Sequence, residues 1–130
     1  MVIGLPWYGY NYPCLSLEGN ACAIKKVPFR GVNCSDAAGR QYGYDNIVER
    51  YIPQAIGGLQ WDKASASPFF NYKDQTDHAM HQVWFDNPLS LKIKYDFLTM
   101  GLGLRGLAMW NTAEAVKYAE EMWEALPLLR

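Results

Sequence analysis

The chain has 130 residues, enough for one domain with a real core and too few for a complete (β/α)8 barrel, which takes roughly 250. Its 12 Lys and Arg against 13 Asp and Glu leave a net charge of -1, so a nucleic-acid partner is not expected. No apolar stretch approaches the roughly 18 residues that span a bilayer, and no membrane partner is expected either.

Two runs, Ile3-Gly4-Leu5-Pro6-Trp7-Tyr8-Gly9-Tyr10 and Arg105-Gly106-Leu107-Ala108-Met109-Trp110-Asn111, are apolar where they begin and aromatic where they end. Residues 2–8 read as a buried strand, because Gly4 and Pro6 rule out a stable helix. Met1-Val2-Ile3-Gly4 has no basic region or cleavage-type boundary, so no secretory signal is expected within this sequence. From 9 to 43 Gly, Pro, Asn and Ser dominate, which predicts a long excursion with short strands around Ala23 to Val27. Cys14, Cys22 and Cys34 lie in it without the tight pairing of a zinc site, so they read either as loop-stapling disulfides or as buried thiols. Asn33-Cys34-Ser35 matches a glycosylation sequon.

Ile47, Val48, Tyr51, Ile52 and Ile56 recur at near-helical spacing and predict about two helical turns, ended by Pro53. The runs 59–62, 68–72 and 81–85 then read as an antiparallel meander. Asn87 is a good N-cap with Pro88 at the first helical position, and Leu91, Tyr95 and Leu98 follow on one face until Gly101 and Gly103 stop the helix. Residues 105–110 form a strand. Val116, Ala119, Trp123 and Leu126 are predicted as the inward stripe of a last helix, with Glu114, Lys117, Glu121 and Glu124 outside. No internal repeat or linker divides the chain.

Aromatic residues at the ends of buried strands suit an apolar-faced ligand such as a sugar ring. Trp110 either packs under the following helix or faces a barrel mouth, and alternation lets only one of Trp7 and Tyr8 point inward. Trp61 and Trp84 read as cross-strand packing residues. The acids sit mostly at caps, turns or helix surfaces, and none stands as a general acid at the tip of a buried strand. His78 and His81, beside Asp77, read as hydrogen-bonding loop residues rather than metal ligands.

Several of these blocks carry a resemblance. Gly4-Leu5-Pro6-Trp7-Tyr8-Gly9 and Gly106-Leu107-Ala108-Met109-Trp110 resemble the seventh and eighth barrel strands of glycoside hydrolase family 18, the chitinase family. Val83-Trp84-Phe85-Asp86-Asn87-Pro88-Leu89-Ser90 resembles the approach to the helix between them. Lys26-Val27-Pro28-Phe29-Arg30-Gly31, Cys34-Ser35-Asp36-Ala37-Ala38-Gly39-Arg40-Gln41, Asn71-Tyr72-Lys73-Asp74 and Glu120-Glu121-Met122-Trp123-Glu124 are similar to a lysosomal member of that family. The resemblance implies an α/β fold: the C-terminal part of a (β/α)8 TIM barrel, its last two strands and helices, with an antiparallel β insertion at about 11–85. Residues 1–130 would form this one C-terminal portion.

The family hydrolyses N-acetylglucosamine-containing oligosaccharides with retention, the substrate's own N-acetyl group assisting. Chitooligosaccharide or the chitobiose core of N-glycans is thus the implied partner, without cofactor or metal, in a lysosomal or secreted setting. The family's acid comes from an Asp-x-x-Asp-x-Asp-x-Glu motif. Here Asp74-Gln75-Thr76-Asp77 continues with Ala79 and His81, so the motif is absent and no catalytic residue is carried over. The resemblance carries over Trp110, as the floor beneath the sugar at the cleavage subsite, and Tyr8. After Asn111 the family member has a longer loop with a Cys and an Asp, whereas Thr112-Ala113-Glu114 leads almost straight into helix here, which accounts for the odd cysteine count. The alternative is a truncated or divergent product that binds chitooligosaccharide like a lectin, or is inert. Two parallel strands cannot close a barrel, so the chain is expected to need the N-terminal part and to be poorly ordered or to aggregate without it.

Overall fold

The computed structural model describes residues 2–28 and 38–126; Cys34 and the sequon at Asn33 lie outside them. The apolar run at the start forms β1 (Val2–Pro6), which pairs in parallel with β9 (Gly106–Trp110), Val2 opposite Gly106 and Pro6 opposite Trp110. Both expected strands are present and adjacent, and among the described residues their two-stranded sheet is open.

The stretch after Trp7 departs from expectation. It is not an irregular excursion but strand β2 (Tyr8–Pro13), which lies inside a five-stranded antiparallel sheet of order β5 (Arg40–Gly43), β2, β8 (Met80–Phe85), β7 (Ser67–Lys73), β6 (Ile56–Asp62). Its residues alternate: Gly9 and Asn11 are buried, and Tyr8, Tyr10 and Tyr12 face the other way, half-buried. Short strands β3 (Ser16–Glu18) and β4 (Ala21–Ala23) form a hairpin, earlier in the chain than predicted, and the Cys14–Cys22 disulfide closes its base. Asn20 at the hairpin tip accepts from the Asn71 side chain at 3.1 Å and, through its carbonyl, from Gln82 at 2.9 Å, which docks the hairpin on the sheet. Strand β5 (Arg40–Gly43) pairs with β2.

Helix α1 (Tyr44–Asn46) widens into a π-type turn over Ile47–Tyr51 and tightens into a 3-10 turn, Ile52–Gln54, around Pro53. Ile47 and Tyr51 are buried as the spacing predicts. Ile56 is not part of this helix: it starts β6 (Ile56–Asp62) and is exposed, because Gly57 and Gly58, both at positive φ, form a bulge that sets a new direction. The meander is otherwise as predicted, with β7 (Ser67–Lys73) and β8 (Met80–Phe85).

Helix α2 (Pro88–Asp96) opens on a full capping box. The Asn87 side chain accepts from the Ser90 N–H and the Ser90 hydroxyl accepts from the Asn87 N–H, both at 2.9 Å. Leu91 and Tyr95 are buried, and a wide turn, Phe97–Gly101, leads to Gly103 at positive φ.

The last helix is shifted in phase. A 3-10 turn spans Thr112–Ala115, Tyr118 is non-helical, and α3 covers only Ala119–Glu124. The inward stripe is therefore Ala115, Ala119, Met122 and Leu126, while Val116 is 68% exposed and Trp123 51% exposed. Ala119 and Leu126 are thus inward as predicted, while Ala115 and Met122 take the places predicted for Val116 and Trp123, and no single helical period runs through residues 112–118. The core joins Leu5 and Trp7 to Ile47, Tyr51, Phe70, Tyr72, Val83, Phe85, Leu91 and Met122, so the parallel pair, the five-stranded sheet and the helical segments share one interior.

Candidate functional site

The parallel pair delivers its aromatic residues at one end. The Trp7 N–H donates to the Trp110 carbonyl at 2.9 Å, which ties the end of β9 to the exit of β1. Trp110 follows from a strand with one foot in the core yet is 69% exposed, and the bond to Asn111 is cis. The Asn111 side chain accepts from the Ala113 N–H at 2.9 Å and opens the next turn. Trp7 and Tyr8 divide as alternation requires. Trp7 is fully buried, meeting the Trp123 ring edge-on at 5.0 Å, and Tyr8 turns to a cleft.

That cleft, about 500 Å³, begins at Pro6 and Tyr8 and runs along β2. Tyr8, Tyr10 and Tyr12 line it from one strand face; the first two rings meet edge-on at 6.0 Å and the second two stack at 5.9 Å. Trp84 stands opposite Tyr10 in the adjacent strand. It is backed by Phe69, with centroids 4.4 Å apart and planes 14° from parallel, and its indole N–H donates to Gln82 at 2.8 Å. The expectation of cross-strand packing holds for Trp84, but the same ring also lines the cleft. Its part in the cleft, and those of Tyr10 and Tyr12, escaped the sequence reading. The readable signal was the alternation Tyr8-Gly9-Tyr10-Asn11-Tyr12, which only a strand turns into a single aromatic face.

Two carboxylates line the same cleft, and both are committed. Asp62 accepts from the Ser65 N–H at 2.8 Å and its hydroxyl at 2.6 Å, and these bonds hold its carboxyl below the usual range. Asp86 is buried, accepting from the Ser90 hydroxyl at 2.6 Å and from the Lys94 ammonium. An ionised, hydrogen-bonded carboxylate can accept sugar hydroxyls at a rim; it has no proton to give a leaving group. The rings supply flat faces that match the CH face of a pyranose.

The two histidines do not converge. His78 sits in the β7–β8 turn at φ 60, and His81 is buried between Asp77 and Asn11. Among the described residues no group of His, Cys, Asp and Glu is placed to hold a metal ion.

No family model matches the chain. It is 48% identical over 135 residues to the di-N-acetylchitobiase of Homo sapiens, covering 97% of this chain and 34% of that protein. The chain thus spans about a third of the length of the curated relatives it matches. Among solved structures, the chitinase of Chromobacterium violaceum ATCC 12472 covers 98% of the chain and 33% of its own length at 20% identity and a TM-score of 0.65. Human YKL-39, described as a pseudo-chitinase with retained chitooligosaccharide binding properties, covers 95% and 31% at 20% identity and the same TM-score of 0.65. At these identities the structures speak to fold alone: the parallel pair and the antiparallel sheet follow part of the chitinase fold as one unit.

Proposed function

Because the chain belongs with the di-N-acetylchitobiases in the chitinase family, glycoside hydrolase family 18, we propose that it is the substrate-binding portion of a glycosidase acting on N-acetylglucosamine-containing oligosaccharides. Trp110 lies beneath the sugar at the cleavage subsite, and Tyr8 opens the cleft in which Tyr10, Tyr12 and Trp84 accept the rest of the saccharide. In the reaction the substrate's N-acetyl carbonyl attacks the anomeric carbon while a Glu, supplied by a fourth barrel strand outside this chain, protonates the leaving oxygen. Trp110 orients the ring, and its negative π face favours the cationic transition state. No acid of this chain transfers a proton. The substrate is a chitooligosaccharide or the chitobiose core of an N-glycan, and the setting is lysosomal or secreted, in keeping with the Cys14–Cys22 disulfide.

The observation that carries this reading is an exposed indole, Trp110, held by backbone pairing at the end of a strand that packs into the core. Chitobiose titrated against tryptophan fluorescence is expected to bind the chain, and about fivefold more weakly after Trp110→Ala, since a well-packed aromatic contact adds on the order of 1 kcal/mol. Unchanged binding in the variant removes Trp110 from the site. Turnover of a fluorogenic chitobioside by this chain alone overturns the division of labour. A second reading, binding without hydrolysis or no activity at all, is favoured by the absence of the acidic motif from these residues. The complete polypeptide assayed on the same chitobioside separates the two, hydrolysis supporting the first.

A further inference from the structure

On the face of β2 away from the cleft, a closed run of hydrogen bonds ties the turn between β7 and β8 to β2. The Asp77 carboxylate meets His81 Nε2 at 2.9 Å, and His81 Nδ1 meets the Asn11 Oδ1 at 3.0 Å. The Asn11 amide donates to the Tyr72 hydroxyl at 2.8 Å, which donates to Asp74 at 3.3 Å. Asn11, Tyr72 and His81 are all buried, so leaving one of their polar atoms without a partner is costly.

The run can be counted in hydrogens. Its ends are carboxylates, which only accept. Asp74 also accepts from the Thr76 and Asp77 N–H groups and Asp77 from the Ala79 N–H, and these backbone bonds come first among the causes that hold both carboxyls below the usual range. Burial pushes the Tyr72 hydroxyl up, so it keeps its proton. Each of the four contacts requires one hydrogen. Tyr72 supplies one, to Asp74, and Asn11 supplies one, to Tyr72, so the other two must come from the ring of His81.

We propose that His81 is a positioning residue that pins β2 to the β7–β8 turn only as an imidazolium. When Nδ1 gives up its proton to water, the Asn11 amide turns over to donate to it and the Tyr72 hydrogen swings to the Asn11 oxygen. Tyr72 and Asp74 are then left facing each other with no hydrogen between them, and the turn is released. Asn11 lies between Tyr10 and Tyr12 in β2, so the same proton steadies the wall of the cleft on the opposite face. Facing His81 are Asp77 and Asp74 from the turn, Tyr72 from β7 and Asn11 from β2. Arg40 of β5, together with Arg50 and Tyr51 of the helical segment, faces it across a cavity of about 580 Å³. The two carboxylates favour the cation and the two arginines oppose it.

Only the consequence for the cleft rests on the proposed function; the latch does not. Nitrogen-15 spectra of the full chain, labelled in its histidine rings, are expected to show hydrogen on both nitrogens of His81 at acid pH and loss from Nδ1 alone on titration, with His78 as reference. Tyr72→Phe takes one hydrogen out of the count and frees the Asn11 amide to turn. The proton affinity of His81 should then fall about tenfold, one pH unit. Asp74→Asn, on the exposed turn, removes the same constraint by offering Tyr72 a donor, and serves should Tyr72→Phe not fold. Identical titration of His81 in wild type and variant, or a singly protonated ring at acid pH with the turn intact, overturns the proposal. Chitobiose binding should weaken along the His81 titration in the wild type and not in the variant. If chitobiose binds at no pH, the proposed function fails while the ring spectra still decide the latch.

Discussion

Gly9 shows how one residue can dictate a close approach. A Cβ there would lie 2.4 Å from the Trp84 carbonyl, 2.6 Å from Phe85 Cβ and 2.7 Å from Ile47, so sheet and helical segment meet over a bare backbone. Gly9→Ala is expected to destabilise by about 1–3 kcal/mol, read as a lower denaturant midpoint at unchanged slope. Asp74 and Asp77 set an acid limit on the same sheet. Their carboxyls are depressed below the ordinary 3.8, so the support they give the turn is complete above that value and is lost as pH falls through the depressed values. Amide exchange at Thr76 and Ala79 should accelerate there, beyond its intrinsic pH dependence, and should be insensitive to acid after Asp74→Ala and Asp77→Ala. That Trp7 and Tyr8 point to opposite sides was legible from strand alternation, whereas which of them is buried was not. Trp84 was legible only as a packing residue, because its second role depends on β2 lying beside β8.

At the scale of elements, α2 was the most readable, since Asn87, Pro88 and Ser90 carry the whole start signal within four positions. Asn87→Ala is expected to lower stability by about 1 kcal/mol through loss of the cap, measured by thermal or denaturant unfolding. Strand β2 was missed because Gly9, Asn11 and Pro13, residues of weak strand propensity, interrupt its tyrosines, and its partners β5 and β8 are distant in sequence. The stripe of α3 was right at Ala119 and Leu126 and off by one at Val116 and Trp123, because the break at Tyr118 leaves no local mark. The hairpin of β3 and β4 depends on its disulfide: Cys14→Ser with Cys22→Ser should lose about 2 kcal/mol and free Asn20 from Asn71 and Gln82, visible as faster exchange in β7.

For the whole molecule, stability is unevenly spread. The five-stranded sheet is covered by the helical segment on one face and partly by the hairpin on the other, whereas β1 and β9, though their inner side chains reach the core, have only each other as hydrogen-bonded strand neighbours among the described residues. Leu89, Ile93, Phe97 and Met100 form an exposed apolar stripe along α2 and the turn after it. Hydrogen exchange of the chain is expected to be fast in Val2–Pro6 and Gly106–Trp110 and slow in β7 and β8, with self-association through the apolar surfaces; one sharp cooperative melt of a monomer would count against this. The sequence by itself determined what adjacent residues settle among themselves: the strands with aromatic ends, the meander and the capped start of α2. These follow from caps, turns and alternation, whose partners lie within a few residues. The tertiary structure alone decided the order of the five strands, the inward face of α3, the aromatic wall of the cleft and the run of contacts through His81. Each of those joins residues far apart in the chain, and a side chain's environment there is set by which strand lies beside it.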